Sequence, residues 1–464
     1  MAEAKNKVVD VLIIGDGLAG CTAALTAQKE RAEVMIIEKS RPNIPHGNTA
    51  FCGGALRRVS ATYPAQKYFD DIMKVSNGKA DPTLTKITIQ NSKRAKAWLR
   101  RLGIPWTRPS SNPGRADAVL GRGPVLESVI RDAVRKAGIP VLYETVALGI
   151  VRSDGRVTGV RVKTKTGDKT IACKSVILAT GGFQGNGSMV KRYLGKGADR
   201  LVLRGYKGNT GDGHQIASKM GATLVGMEGY HGGIIHLGYK EFPAVGRKKG
   251  MRSVKRYEKA ILVNKNGERF VDEGEDTADK TYAKFGRIIA LTQPGGVAYL
   301  IFDSKSKDII DPMYEGPKKG PVAAATIEDL ARKLSISPRK LLATVQTFNS
   351  AISDDKALGL SPPKSNFAQR IDKPPFYAYP ATGGMTFTFG GVKINEKAEV
   401  LNSGEKPLAG IYAAGEVTGG FFYNNYPAGS SLTRCVVFGE IAGKSAAGYA
   451  DRPLGTFDSD RSLR

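Results

Sequence analysis

Cysteine is scarce. Cys21, Cys52, Cys173 and Cys435 are all that 464 residues contain, far apart and without a C-x-x-C pair. That spacing excludes a disulfide framework, a zinc site, a c-type haem and an iron–sulfur cluster. Histidine occurs four times, which leaves little material for any other metal centre. Acidic residues are in deficit, with 43 Asp plus Glu against 70 Lys plus Arg and a formal charge of +27. Such a field attracts anions of any kind, from nucleic acid and acidic membranes to small polycarboxylates. The basic residues are dispersed in short clusters such as Arg247-Lys248-Lys249, so most of the charge reads as solvated surface and no nucleic-acid partner is expected. Runs of about 18 apolar residues, the length that spans a bilayer, do not occur, and the first residues lack the pattern of a secretory leader. The expectation is a cytoplasmic protein without a transmembrane segment, its charge leaving room for a peripheral membrane contact. A G-x-S-x-G elbow is absent too, which removes the support for a serine hydrolase.

Glycine is abundant at 56 residues, about 12% of the chain against a usual share of about 7%. The excess points to tight turns and to close approach of backbone to a ligand. One such turn is specific. The β-branched run Val8 to Ile14 leads into Gly15-Asp16-Gly17-Leu18-Ala19-Gly20, then a helical stretch to about Glu30, then a second apolar run, Val34 to Ile37, that ends in Glu38. In this strand, turn, helix, strand unit Gly15 permits the turn, Gly17 lets backbone approach a pyrophosphate, and Gly20 lets helix and strand pack closely. The helix N-terminus offers unpaired N–H groups to the phosphates, and Glu38 can accept a ribose hydroxyl.

This fingerprint occurs once, so the chain is expected to hold one dinucleotide permanently and not to exchange two. Ser175 to Leu178 followed by Ala179-Thr180-Gly181-Gly182, and Ala413-Ala414-Gly415-Glu416 near the C-terminus, read as two further buried strands ending in glycine turns at the same ligand. Between them the texture changes. A hairpin signal covers Ala260 to Phe270 around Lys265-Asn266-Gly267, with a strand near Val297 to Phe302 and helices over Thr326 to Leu334 and Pro338 to Ile352. The expected fold is α/β, a Rossmann-type nucleotide-binding domain with an inserted α+β capping domain. Residues 1–230 and 355–464 form the first, and 231–354 the second.

Taken together, the Gly15–Gly20 turn, Ala179-Thr180-Gly181-Gly182, Thr210-Gly211-Asp212-Gly213, the segment from Ala260 to Glu273 and Ala413 to Val417 resemble the flavoprotein family of fumarate reductases, succinate dehydrogenases and 3-ketosteroid dehydrogenases. Arg269 to Asp276, Thr281 to Arg287 and Phe422 to Ser430 look most like its FAD-dependent tricarballylate dehydrogenase branch. The resemblance implies noncovalent FAD in the nucleotide-binding domain, a cap over the flavin, and hydride transfer between flavin N5 and a substrate carbon. It implies cofactor contacts from Gly15, Gly17, Leu18, Ala19, Gly20, Glu38, Lys39, Asn48, Thr49, Gly53, Gly54, Ala179, Thr180, Gly181, Gly182, Thr210, Gly211, Asp212, Gly213, Gly415, Glu416, Ser430, Ser431 and Leu432. No metal is expected. His46 lies where some relatives attach FAD covalently, but its offset to Gly53-Gly54 differs, and it is read as an ordinary loop histidine.

The sequence departs from fumarate reductases where Thr386-Phe387-Thr388-Phe389 replaces a substrate-binding histidine and Tyr426 replaces an arginine. Tyr282 and Tyr426 instead look like the two tyrosines of 3-ketosteroid dehydrogenases. Moving hydrogen across a C–C bond beside a carboxylate or ketone needs a hydride carrier, a proton shuttle on the other carbon and positive charge. Tyr282 is the first choice for the shuttle, with Lys284 and Arg287 as neighbouring cations and Arg256 and Tyr426 as further catalytic residues. Arg252, Arg256, Arg287 and Arg434 are the carboxylate clamps expected from the fork geometry of guanidinium, with Thr386, Thr388 and Ser430 beside the substrate. The expected activity is that of an FAD-dependent dehydrogenase or reductase acting on a small polycarboxylic acid, with a separate electron donor or acceptor. The alternatives are a dehydrogenase placing a double bond beside a ketone, as in steroids, and a basic flavin-bearing module that binds polyanions or membranes.

Overall fold

A computed structural model describes residues 8–107, 114–237, 254, 256–309 and 321–451. The elements that hold the site are, in chain order, β1 (Val9–Ile14), α1 (Leu18–Lys29), β2 (Val34–Ile37), β3 (Gly167–Leu178), β4 (Tyr230–His236), α2 (Ala278–Thr292), β5 (Phe376–Thr388), β6 (Pro407–Ala413) and α3 (Ser430–Ala450).

The first sheet is built on β1. Its residues Val9 and Val11 to Ile14 are buried, as a parallel strand covered on both faces requires. It pairs in parallel with β2 through Val11 and Val34, and with β3 through Ile13 and Ile177. Strand β6 extends the sheet in parallel beyond β3, Ile411 facing Val176. The carboxyl ends of β1, β3 and β6 therefore lie side by side, although more than 160 residues separate the first from the second. Helices α1 and α3 cover this sheet and cross closely: a Cβ added at Gly443 would fall 2.4 Å from Ala23 O. Glycine at that crossing lets the two backbones approach.

The second sheet has β5 as its central strand. It runs antiparallel to β4, to Ala298–Asp303 and to Val322–Ala324, and parallel to Val202–Leu203. Helices Ile327–Leu334 and Pro338–Ser350 pack an apolar core against it. The second sheet gathers its strands from residues 202 to 388, so Val202–Leu203 and β5 join it from either side of the expected 231–354 segment. The return arm of the expected 260–270 hairpin reduces to one bridge between Val263 and Arg269. The side chain of Arg269 leaves the pairing to join Glu273 at 2.6 Å and Pro362 O at 2.8 Å, which pulls the chain away from the strand. Among the described residues no helix is long and apolar enough to cross a membrane.

Candidate functional site

A cavity of about 1160 Å³ lies where the carboxyl ends of the first sheet meet the second. The first sheet contributes Gly15, Asp16, Gly17, Glu38, Lys39, Ala179, Thr180, Gly181, Gly415 and Glu416, all at strand ends or in the turns after them. Helix α1 adds Leu18 and Ala19, helix α3 adds Ser431, Leu432 and Cys435, and the connection after β2 adds Asn48, Thr49, Gly53 and Gly54. From the second sheet and its surroundings come Arg204, His231, Gly233, Arg256, Glu258, Tyr282, Thr386, Phe387 and Tyr426.

The glycine turn is shaped by contacts that side chains would destroy. Gly15 sits at φ +104, and an added Cβ would lie 2.6 Å from Ala179 O; one at Gly20 would lie 1.9 Å from Gly15 O. Gly17, by contrast, leaves room for a side chain, with Thr49 Oγ1 at 3.6 Å as its nearest neighbour. It offers no cap of its own to α1, and the Thr49 hydroxyl accepts the Leu18 N–H at 2.9 Å. A helix N-terminus beside a cavity is suited to phosphate. The buried hydroxyls of Thr180 and Thr386, both on the cavity wall, have no hydrogen-bond partner, and buried polar groups need one. Glu38 ends β2 with Oε1 accepting from the Ser40 N–H at 2.7 Å and Oε2 from the Asp16 N–H at 3.4 Å. The glycine turn, the helix N-terminus, the two unpartnered hydroxyls and the acid at the end of β2 fit a dinucleotide. Lys39 reaches across to Thr210 Oγ1 at 2.8 Å and Asp212 Oδ2 at 2.6 Å, tying the turn after β2 to the segment before Gly213. Asn48 Nδ2 donates to Glu416 Oε2 at 2.7 Å, and burial pushes that carboxyl up to about 7 against the opposing pull of Arg434.

The opposite wall is aromatic. His231 Nε2 meets the hydroxyl of Tyr282. The imidazole is stacked on Phe387 at 4.9 Å and 11°, and stands edge-on to Tyr426 at 4.8 Å. Tyr426 is further enclosed by Phe422 at 5.2 Å and Phe389 at 6.0 Å. Burial raises the Tyr426 hydroxyl, while burial and the Arg204 guanidinium hold His231 well below its ordinary range.

Several expected site residues stand elsewhere. Lys284 turns away from Tyr282 to pair with Glu275, and Arg287 lies over the ring of Tyr230 at 5.7 Å; neither lines the cavity. Arg434 is fully buried between Phe421 and Phe422, 5.0 Å from each ring, and donates to Thr418 O. A residue of α3 itself, it does not line the cavity. Arg252 lies outside the described residues. Thr388 receives the Phe183 N–H, and Ser430 Oγ receives the Tyr68 hydroxyl at 2.9 Å, so both are engaged behind the wall. Gly20, Gly182, Thr210, Gly211 and Gly213 shape or support the wall without lining it. Of the expected clamps Arg256 lines the cavity, joined by Arg115, Arg122 and Arg204.

His46 is not an ordinary loop histidine. It is 1% exposed and its Nε2 lies 2.9 Å from Asp16 Oδ1, with Arg131 Nε 3.0 Å from Oδ2 of the same carboxylate. Although burial opposes it, these two partners hold Asp16 below the usual carboxylate range and fix the middle of the glycine turn. The sequence reading also missed Arg57, fully buried, which donates to Ala428 O at 2.8 Å and to Tyr63 Oη at 3.0 Å and so secures the turn into α3. His231 was missed as well. Its signal was available: one of four histidines, followed by Gly232-Gly233 inside an apolar strand.

Residues 10–432 match the family described as FAD binding domain. The chain is 31% identical to an NADH:fumarate oxidoreductase of Klebsiella pneumoniae (strain 342), covering 96% of this chain and 48% of that protein. It is 31% identical to a fumarate reductase (cytochrome) of Shewanella frigidimarina, covering 97% of this chain and 79% of that one. It thus spans about half the length of the first relative and most of the second. The open conformation of a flavocytochrome c3 fumarate reductase superposes with a TM-score of 0.72 at 28% identity, over 97% of this chain and 80% of that one. A 3-ketosteroid delta1-dehydrogenase from Sterolibacterium denitrificans gives 0.77 at 19% identity, over 95% and 99%, a likeness of fold.

Proposed function

The chain belongs to the FAD-binding-domain family, and from that premise we propose that its cavity serves an oxidoreductase of carbon–carbon bonds, with a small, polycarboxylic organic acid as substrate. FAD is its cofactor. When bound, FAD supplies the hydride acceptor or donor. The first-sheet wall holds it: Gly15, Gly17 and the N-terminus of α1 at the phosphates, Glu38 at a ribose, Thr180, Asn48 and Glu416 along its length, and Ser431 and Leu432 at the start of α3.

One observation carries the reading. The wall opposite the glycine turn brings a hydroxyl, that of Tyr282, together with two guanidinium-bearing residues, Arg204 and Arg256, in the same cavity. Tyr282 gives or takes the proton on one carbon. Arg204 and Arg256 attract the carboxylate and stabilise the negative charge that develops beside it. The aromatic side chains Phe387 and Tyr426 exclude water from the reacting carbons. Segment 231–354 acts as the lid over this end, and residues 1–230 with 355–464 hold the cofactor. The electron donor or acceptor lies outside these 464 residues, which carry no paired-cysteine motif for haem or cluster. Four free cysteines suit a cytoplasmic setting. The tricarballylate dehydrogenase-like branch is the finer assignment, resting on Thr281 to Arg287 and Phe422 to Ser430.

A second reading has its own support. Tyr282 and Tyr426 stand with ring centroids 6.4 Å apart on the same wall, the residue pair that a ketone substrate of the steroid type would use. The test is anaerobic mixing of the photoreduced holoprotein with fumarate, cis-aconitate and a 3-keto-4-ene steroid, following the return of the oxidised flavin band. The proposal expects cis-aconitate or fumarate to restore it. Reoxidation by the steroid alone favours the second reading, and reoxidation by none of the three overturns both.

A further inference from the structure

One imidazole at the reacting end has no task in the mechanism above. His231, in β4, is 6% exposed and held on three sides by Tyr282, Phe387 and Tyr426. Its Nε2 meets the Tyr282 hydroxyl, while its Nδ1 is buried without a partner. Among the described residues, the titratable and charged groups that face it are Tyr282 on α2, Tyr426 before α3 and Arg204 before β4, none of them a carboxylate. Burial beside the Arg204 guanidinium keeps the ring neutral. A neutral imidazole has a single N–H.

The unpartnered nitrogen decides the direction of the contact. A buried N–H left without an acceptor is rarer than a buried lone pair left without a donor. The single proton of the ring therefore sits on Nε2, where Tyr282 Oη accepts it, and Nδ1 carries the lone pair. The Tyr282 and Tyr426 hydroxyls share a second hydrogen bond, and the Gly429 N–H donates to Tyr426 Oη at 3.4 Å.

We infer that His231 is the positioning residue of the proton step: its Nε2–H donates to Tyr282 Oη, aims the tyrosine O–H at the reacting carbon and holds the oxygen in place while its proton is replaced. The inference rests on Tyr282 being the shuttle. In the direction of reduction, the Tyr282 O–H bond breaks as a C–H bond forms on the substrate. The Tyr282 O–H bond is then restored by a proton from water entering the cavity that Tyr282 lines. The ring stays neutral and keeps its Nε2 proton throughout. The net uptake is one solvent proton, to accompany the hydride that the cofactor contributes to the other carbon. Stacking on Phe387 fixes the plane of the ring, so the N–H is aimed before substrate arrives.

The experiment uses the full FAD-loaded chain as wild type, His231→Leu, Tyr282→Phe and the double variant, with flavin reoxidation by cis-aconitate or fumarate measured after anaerobic photoreduction. Misplacing the reacting O–H is worth about 10²-fold, so H231L should retain its flavin absorbance and slow by that order. In the Tyr282→Phe background it should add nothing, because both residues serve one proton path. A second readout does not depend on turnover: ¹⁵N spectra of histidine-labelled wild type, with the H231L spectrum subtracted, should show a neutral ring protonated at Nε2 from pH 5 to 9. Losses that multiply in the double variant, a rate for H231L within twofold of wild type, or a ring protonated at Nδ1 would overturn the inference. If no acid reoxidises wild-type flavin, the reading of the substrate fails on its own, and the ¹⁵N spectrum still decides the state of His231.

Discussion

Replacing Glu416 by glutamine should make the FAD-free chain more stable, and increasingly so as pH rises. The carboxyl stands on the cavity wall, held by Asn48 Nδ2 at 2.7 Å, and burial lifts it from 4.5 to about 7. At about 1.4 kcal/mol per pH unit this rise amounts to about 3 kcal/mol, less to the extent that cavity water reaches the carboxylate. The sign follows from proton binding. Between 4.5 and about 7 the folded chain holds a proton at Glu416 that the unfolded chain has lost, so the stabilising contribution is complete below pH 4.5 and disappears as pH rises through about 7. Glutamine keeps the contact with Asn48 and never ionises. Urea unfolding of both apoproteins at pH 5, 6, 7 and 8 should therefore show a difference of about 1 kcal/mol at pH 5 that grows towards about 3 kcal/mol at pH 8. A difference that is flat, or that grows towards low pH, would refute the reasoning.

The glycine turn gives a sharper outcome: Gly20→Ala places a Cβ 1.9 Å from Gly15 O, so α1 must shift from β1, and equilibrium dialysis should find FAD affinity reduced at least about 100-fold. Arg57→Met removes the donors to Ala428 O and Tyr63 Oη from a fully buried site and should cost about 2–4 kcal/mol in urea unfolding. Lys284→Ala should leave the rate of flavin reoxidation within about twofold, since its ammonium pairs with Glu275 away from the cavity; a loss of ten-fold or more would return Lys284 to the catalytic set. Tyr282→Phe should slow the same reaction about 10²-fold or more with FAD content unchanged, a result checked by stopped-flow absorbance.

The glycine-turn wall of the cavity was legible because its signal is local. Gly15, Gly17, Gly20 and Glu38 lie within one strand, helix, strand unit, and the backbone conformation that each needs is written in the residue type. The ends of β3 and β6 were legible for the same reason, as apolar runs stopping at glycine. The substrate half depends on which side chains a second sheet turns inward, and spacing along α2 does not encode that. Tyr282 points into the cavity while Lys284, two residues on, pairs at the surface with Glu275, and Arg287 folds back on Tyr230. Arg434 was read as a clamp because guanidinium suits carboxylate, but the rings of Phe421 and Phe422 on either side of it are visible only in three dimensions. Arg57, Arg204 and His231 come from segments distant in sequence, and a single chain gives no sign that they converge.

The measurement that bears most directly on the central claim is a titration of the purified apoprotein with FAD, following flavin fluorescence and the thermal unfolding midpoint together. The account predicts saturation at one FAD per chain, a rise in the midpoint, and loss of both effects in Gly20→Ala. A chain that stays colourless and whose midpoint does not respond to FAD would contradict it.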